Sequence, residues 1–387
     1  MQFALSDEQQ MIRDAARAFF SEHASSERLR AVIDSAAGYD PDLWRRLASE
    51  AGWAGIAIAE RHGGSGLGMV ELALLQHEQG RRLVASPFFS TVCLAAPLIA
   101  LAGTESQQAD WLPRIAAGST QLAVACASAH GAAGLGALTT RIHSRGDGYT
   151  LSGEAGFVIQ AQTCDALLVA AQGPQDDAGS LTVAVVERGA AGVTIEPLTM
   201  LDLTRPMARI TFSAVAIGRE QLLGEPGRAR EPLERALDLA RVALAAEAVG
   251  VAEAVLELTT AYVKDRVQFG RPVGSFQAVK HRLADMMVEV EAARSASWYA
   301  ACVADERSDE LPEAASIAKS ACSDAAFSCA ANAIQLHGGI GFTWEHDAHF
   351  YFKRARAIST LLGSPSWHRE RLAGLIGLGA GATAPAW

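Results

Sequence analysis

The sequence predicts a mainly α-helical chain with a small β-domain at its centre, on three observations. Apolar residues recur at helical spacing through the first 120 positions and again from Arg230 onward. Between them, from Gln121, the texture changes to short β-like runs separated by turn residues. Those runs do not alternate with helices, which argues against a doubly wound nucleotide fold. The expected organisation is an N-terminal all-α domain (1–120), a β-sandwich or barrel (121–228) and a C-terminal four-helix bundle (229–387).

Ser6 followed by Gln9 forms a capping box, with Leu5 as a hydrophobic staple. Met11, Ile12, Ala15, Ala16, Phe19 and Phe20 continue that helix. Asp40-Pro41 opens another, with Leu43, Leu47 and Ala51 on its stripe and Gly52 at its end. Helices are expected around Met69–Leu83 and Ser90–Ala102. Six strands follow: Leu122–Ala127, Tyr149–Ser152, Ala166–Ala171, Leu181–Val186, Val193–Pro197 and Ala208–Ala214. Turns at Gly146–Gly148, Gln175–Asp177 and Gly189–Gly192 punctuate them. Ala236–Asp265 carries no proline, and Phe276, Val279, Leu283, Met286, Met287 and Val290 form one stripe of the next helix. Pro312 starts a third bundle helix, running to Gly338-Gly339, and Asp347–Leu361 is a fourth. Only the glycine- and alanine-rich tail after Leu378 is of low complexity.

With 387 residues, half of them hydrophobic, the chain can bury a large core. A net charge of −10 argues against nucleic acid as the main partner. No apolar run reaches membrane-span length, and Met1–Gln10 lacks the basic and apolar regions of a secretory signal, so a cytoplasmic location is expected. The six cysteines form no CxxC pair and read as buried free thiols.

Three stretches carry candidate chemistry. Asp265–His281 gathers Arg266, Phe269, Gly270, Gly274 and Gln277 between two helices. A guanidinium can hold a phosphate in bidentate fashion, a phenyl ring offers a flat face, an amide reads a polar edge, and glycines admit close approach. An ordinary interhelical loop is the bland alternative. In Gln335–Phe342, Gly338 and Gly339 can serve as a helix C-cap or let backbone approach a diphosphate. They follow a helix, so they are no Rossmann fingerprint. His346 and His349 have metal-ligand spacing, but no third ligand is evident, and a capped helix start is the better reading. Gly131–Gly136 lacks the lysine of a phosphate-cradling loop and reads as a connection.

Together these stretches resemble the acyl-CoA dehydrogenase family. The likeness spans Ser6–Gln10, Gly52-Trp53 with Glu60 and Gly63–Gly66, and the two C-terminal motifs. The resemblance implies the architecture of that family, FAD as cofactor, an acyl-CoA substrate, and a reaction placing a trans double bond between Cα and Cβ. It implies a homotetramer or an α2β2 heterotetramer with a paralogue, and an electron-transferring flavoprotein as acceptor. In such assemblies the bundle of one subunit grips the adenosine and diphosphate of its neighbour's FAD. Arg266, Phe269, Gln277, Gln335, Gly338 and Gly339 match those positions.

The catalytic half departs from the family pattern. Leu362 stands where most members carry the glutamate base, and Ala240, before Arg241, stands at the alternative place. Neither accepts a proton, and general-base catalysis is worth roughly 10²–10⁴-fold. Glu247, Glu345 and Asp347 are the remaining carboxylate candidates, and Arg241 is a candidate substrate contact. Ala127, Ala133, Phe157 and Ile159 occupy flavin-facing positions and bring no hydroxyl. Three readings follow: an active homotetrameric dehydrogenase, a silent subunit that supplies FAD-binding residues to a partner, or an FAD-free scaffold protein.

Overall fold

The structure is a computed structural model that describes residues 4–131, 134–174, 179–306 and 309–378. The predicted turn at Gln175–Asp177, the flavin-facing Ala133 and the tail after Leu378 lie outside the described residues. The chain divides into two compact units. One holds the chain up to Leu29, Met69–Val84 and the chain from Arg241 on; the other holds Arg30–Gly68 and Ala85–Ala240.

In chain order the first helices are α1 (Asp7–His23), α2 (Ser26–Ile33), α3 (Pro41–Arg45), α4 (Met69–Arg81), α5 (Ala96–Ala102) and α6 (Glu105–Ala116). Both arms of the predicted capping box form: Ser6 Oγ accepts from Gln9 N at 3.2 Å and Gln9 Oε1 from Ser6 N at 3.0 Å. Ala16 and Phe20 are the buried residues of α1, whereas Met11, predicted on the same stripe, is exposed. Asp40 caps α3 through Leu43 N, and Pro41 fills its first turn.

Eight strands make one mixed sheet: β1 (Leu122–Ala125), β2 (Arg141–Arg145), β3 (Gly148–Ile159), β4 (Ala166–Gln172), β5 (Leu181–Glu187), β6 (Val193–Pro197), β7 (Met207–Ile217) and β8 (Leu222–Leu223). The order is β6-β7-β3-β2-β4-β5-β8, with β1 parallel to the first four residues of β4. Inward residues of β1, β3, β4, β5 and β7 share one core, including Ala123, Leu151, Leu167, Ala184 and Ile210. The helical part of this unit is tied in by side chains. Thr91 Oγ1 bonds both N–H and C=O of Leu122, and Gln107 bridges Leu222 O and Gly224 N. Two strands of this sheet escaped the sequence reading for a physical reason. Only Ile142 of β2 is buried, so no alternation marks it, and β8 is two residues long.

The C-terminal elements are α7 (Arg230–Asp265), β9 (Val267–Gln268), β10 (Arg271–Pro272), α8 (Gln277–Glu306), α9 (Leu311–His337), α10 (Ala348–Thr360) and α11 (Pro365–Leu375). Alanine-rich faces let these helices approach closely. A Cβ on Gly250 would stand 2.0 Å from His77 O, and one on Gly80 2.2 Å from Glu247 O, so α4 and α7 cross in backbone contact. Cys322 Sγ donates to Ala293 O at 3.2 Å between α9 and α8, and burial pushes that thiol up to about 12. Ion pairs Arg17–Glu78, His77–Glu253 and Arg294–Glu253 lace α1, α4, α7 and α8. Helix α11 was absent from the sequence reading; its own signals are Ser364, which caps Trp367 N at 3.2 Å, and Pro365 in the first turn. No described helix is long and apolar enough to cross a membrane.

Candidate functional site

The segment between α7 and α8 is a tight β-hairpin. Val267–Gln268 pairs antiparallel with Arg271–Pro272, and Val273 N donates to Arg266 O at 2.7 Å. Its two central residues, Phe269 and Gly270, have φ of 54° and 77°, the signs required by a type I′ turn. Glycine accepts this conformation without strain. Phenylalanine does not, at a cost of order 1–3 kcal/mol. The same ring is 91% exposed. Its ring meets only the edge of Phe276 among the described aromatic contacts, at 6.2 Å between centroids, and a strained aromatic left so open to water points to a ligand or partner. Gly274, by contrast, is used internally: a Cβ there would come within 3.0 Å of Val263 O.

Arg266, Gln277 and Gln335 are exposed, and none of their side chains makes a hydrogen bond or ion pair among the described residues. At the end of α9, Gly338 and Gly339 are also exposed, and a Cβ on either would meet nothing within 4 Å. Gly338 has φ 64° and closes the helix. Gly339 lies outside the left-handed region and in open space, so the fold itself does not require glycine there. Phe342 and Trp344 add exposed apolar surface beyond it. The two arms are bolted together by Tyr262, in the last turn of α7, whose hydroxyl donates to His337 O at 3.2 Å. The predicted residues are therefore brought to the neighbouring ends of α7, α8 and α9 in one unit, with donors free and backbone open. This suits the adenosine and diphosphate half of a dinucleotide whose other half lies elsewhere.

The flavin-facing positions are differently furnished. Ala127 follows β1 and is half-buried; Ile159 ends β3 and is buried. Ser128 O accepts from Gly131 N at 3.0 Å and Gly156 N at 3.3 Å, and a Cβ on Gly156 would meet Ala129 O at 2.6 Å. The loop is thus fastened against β3. The β3–β7 register shifts between Ala155 and Val158, and within that bulge Phe157 takes φ 54° and lays its ring on Gly131. None of Ala127, Phe157 and Ile159 offers a side-chain polar atom to a flavin edge. Each unpartnered buried polar group costs about 1–3 kcal/mol. The residues present fit a nucleotide tail and do not fit an isoalloxazine.

The base positions are equally plain. Leu362 sits in a turn with φ 56°, its carbonyl accepting from Arg241 Nε at 3.2 Å and facing His368 Nε2 at 3.1 Å. Arg241 is 5% exposed and lies over the Trp367 ring at 5.2 Å, so it braces this turn. Ala240 is fully buried. Asp238, buried two residues earlier, projects from a different side of the helix and does not stand in for it. Glu247, a candidate base, is locked in a buried ion pair with Arg354 at 2.6 Å. Glu345 is exposed, and Asp347 accepts from Ser26 Oγ at 2.7 Å at the start of α10. Among the described residues no three His, Cys, Asp or Glu side chains converge as a metal site.

The sequence reading missed Lys319. It is fully buried behind the same turn, donating to Ile358 O at 2.9 Å and Gly363 O at 3.1 Å and hydrogen-bonded to the Ser323 hydroxyl at 3.1 Å. The signal was a lysine in the apolar run Ala315–Ala318 and Ala321–Cys322. Burial, reinforced by Arg241, pushes it down to about 7 from 10.5. Between those values the unfolded chain holds a proton that the folded chain has lost, so stability rises with pH. Relative to Lys319→Met, the wild-type chain should gain stability from pH 7 to 9 in urea unfolding, with a slope that rises toward about 1.4 kcal/mol per pH unit. Parallel pH profiles would show that Lys319 is not the titrating group.

Residues 6–119 match the acyl-CoA dehydrogenase N-terminal domain and residues 231–376 the acyl-CoA dehydrogenase C-terminal domain. The acyl-CoA dehydrogenase IpdE2 of Mycobacterium tuberculosis is 36% identical over 366 residues, covering 95% of this chain and 96% of the relative. The structure of the Tcur3481-Tcur3483 steroid ACAD G363A variant superposes with a TM-score of 0.86 at 37% identity, covering 96% of this chain and 98% of that one. The ChsE4-ChsE5 complex from Mycobacterium tuberculosis gives 0.88 at 26% identity, covering 98% and 100%. Matches to both domains of the family and whole-length likeness at this level lead to one conclusion: the chain belongs to the acyl-CoA dehydrogenase family, the FAD-dependent oxidoreductases acting on CH–CH donors.

Proposed function

We propose that this chain is the non-catalytic subunit of a two-chain acyl-CoA dehydrogenase. Its α7–α8 hairpin and its Gly338–Gly339 turn grip the adenosine and diphosphate of FAD, and the partner chain supplies the flavin cradle and the base. The observation that carries this is the contrast within one polypeptide. Arg266, Phe269, Gln277, Gln335, Gly338 and Gly339 stand open to a ligand, while Leu362, Ala240 and Ile159 bring no acid and no hydroxyl. The chemistry FAD would supply when bound is acceptance of a hydride from the substrate β-carbon. Residues of this chain hold and orient its nucleotide tail. A homotetramer with its own base is disfavoured by the fate of Glu247, paired to Arg354 inside the bundle.

The likeness to a steroid ACAD and to a ChsE4-ChsE5 complex supports an α2β2 assembly and a bulky, steroid-derived acyl-CoA as the substrate of the pair. An electron-transferring flavoprotein is the acceptor this reading calls for. The three-part division at 120/121 and 228/229 stands with it as a proposal about domains. The test is the visible spectrum of the chain purified alone and co-expressed with a paralogue. Alone it should be colourless; with its partner it should carry about one FAD per two chains, bleached anaerobically by acyl-CoA. One FAD per chain in the chain purified alone would sink the reading.

A further inference from the structure

Beneath the open Gly338–Gly339 turn lies a cluster that the grip does not explain. His337, 3% exposed and directly preceding Gly338, stacks on Tyr262 with ring centroids 4.4 Å apart. A second imidazole, His346, lies 4.4 Å from it and 6.3 Å from Tyr262. His337 Nδ1 meets Ala333 O at 2.7 Å. A carbonyl only accepts, so Nδ1 carries the proton and Nε2 is left as a bare lone pair. That Nε2 is buried with no hydrogen-bond partner. His346 differs: its Nδ1 accepts from Ala348 N at 3.2 Å and cannot be protonated without breaking that bond. Tyr262 donates its hydroxyl proton to His337 O. The position in this cluster able to take a proton is therefore Nε2 of His337.

We propose that binding of a dinucleotide's diphosphate at the Gly338–Gly339 turn is coupled to uptake of one proton by His337 at Nε2. The inference rests on the grip reading above. A diphosphate diester brings two negative charges, and Arg266 supplies one positive charge from the opposite arm. A proton on His337, adjacent in sequence to the turn, supplies a second. In the free chain burial, with His346 beside it, keeps His337 below the ordinary imidazole range, so the proton arrives with the anion. Linkage is reciprocal: what the anion does for the proton, the proton does for the anion. The cluster thereby makes retention of the nucleotide tail depend on pH. Among the described residues, Tyr262 of α7 and His346 of the segment before α10 are the titratable rings in contact with His337.

The probe is ADP-ribose, whose diphosphate diester keeps constant charge across the range used. Calorimetric titration into the full chain, in buffers of different ionisation enthalpy, reads both affinity and proton uptake. Near pH 7, close to one proton should be taken up per ADP-ribose, and affinity should fall by tens of fold, approaching about 100-fold, from pH 6 to pH 8. His337→Gln should bind with no proton uptake and with an affinity flat in pH. Histidine ring NMR of the unaltered chain guards against a misfolded variant: the His337 resonance must titrate at higher pH with ADP-ribose than without. Binding that takes up no proton and keeps one affinity across this range overturns the coupling and leaves the grip standing. Absence of binding at every pH, or binding indifferent to Arg266→Ala, overturns both.

Discussion

Replacing Arg266 with alanine is expected to strip FAD from the two-chain assembly without unfolding this chain. The guanidinium makes no hydrogen bond or ion pair among the described residues and is exposed, so its loss should cost the fold little. A charge-assisted hydrogen bond to a phosphate is worth about 1.5–3 kcal/mol, roughly 10–150-fold in FAD affinity. Arg266→Lys should fall between, since an ammonium keeps the charge and loses the bidentate fork. The informative control lies in the same polypeptide. Ile159→Ala, at a flavin-facing position of this chain, should leave FAD content unchanged, because that cradle is not the one occupied. FAD fluorescence released on dilution, measured for the three variants co-purified with the partner, decides the matter. Loss of FAD in Ile159→Ala with retention in Arg266→Ala would reverse the assignment of roles.

What the sequence disclosed and what it hid divide along physical lines. The capping box at Ser6, the Asp40-Pro41 start and the long proline-free α7 depend on neighbours within a few residues, and they read directly. The grip was legible because its parts are unusual residue types in short segments. Its strain was not: only coordinates reveal that Phe269 occupies a position where φ is positive. Strand β2 was hidden because one face of Arg141–Arg145 lies in water and the other buries only Ile142. Met287 and Val288 stay exposed on α8 although Met287 completes an apolar stripe, so the pattern there specifies more than this chain's own core. Lys319, His337 and Glu247 were beyond reach for another reason. Their roles depend on contacts 39 to 107 positions away, or on which ring nitrogen is left without a partner.

Glu247 is where that distinction has the largest energetic consequence. From the sequence it is a carboxylate on the first bundle helix, six residues after Arg241, and so a candidate base. In the fold its Oε1 accepts from Arg354 Nη1 at 2.6 Å and its Oε2 from Gln76 Nε2 at 3.4 Å. Both charged side chains are 2% exposed. Removing one member of such a pair strands the other's charge in the interior, at a cost of about 3–5 kcal/mol. Glu247→Leu should therefore lower the urea midpoint strongly. Removing both charges together is much milder, because no ion is left unpaired, so Glu247→Leu with Arg354→Met should recover most of the loss. A catalytic base behaves in the opposite way: its replacement leaves stability intact or improved and abolishes flavin reduction. If Glu247→Leu folded as well as the wild type yet ended turnover by the assembled pair, the ion pair would be incidental, and this chain would carry the base after all.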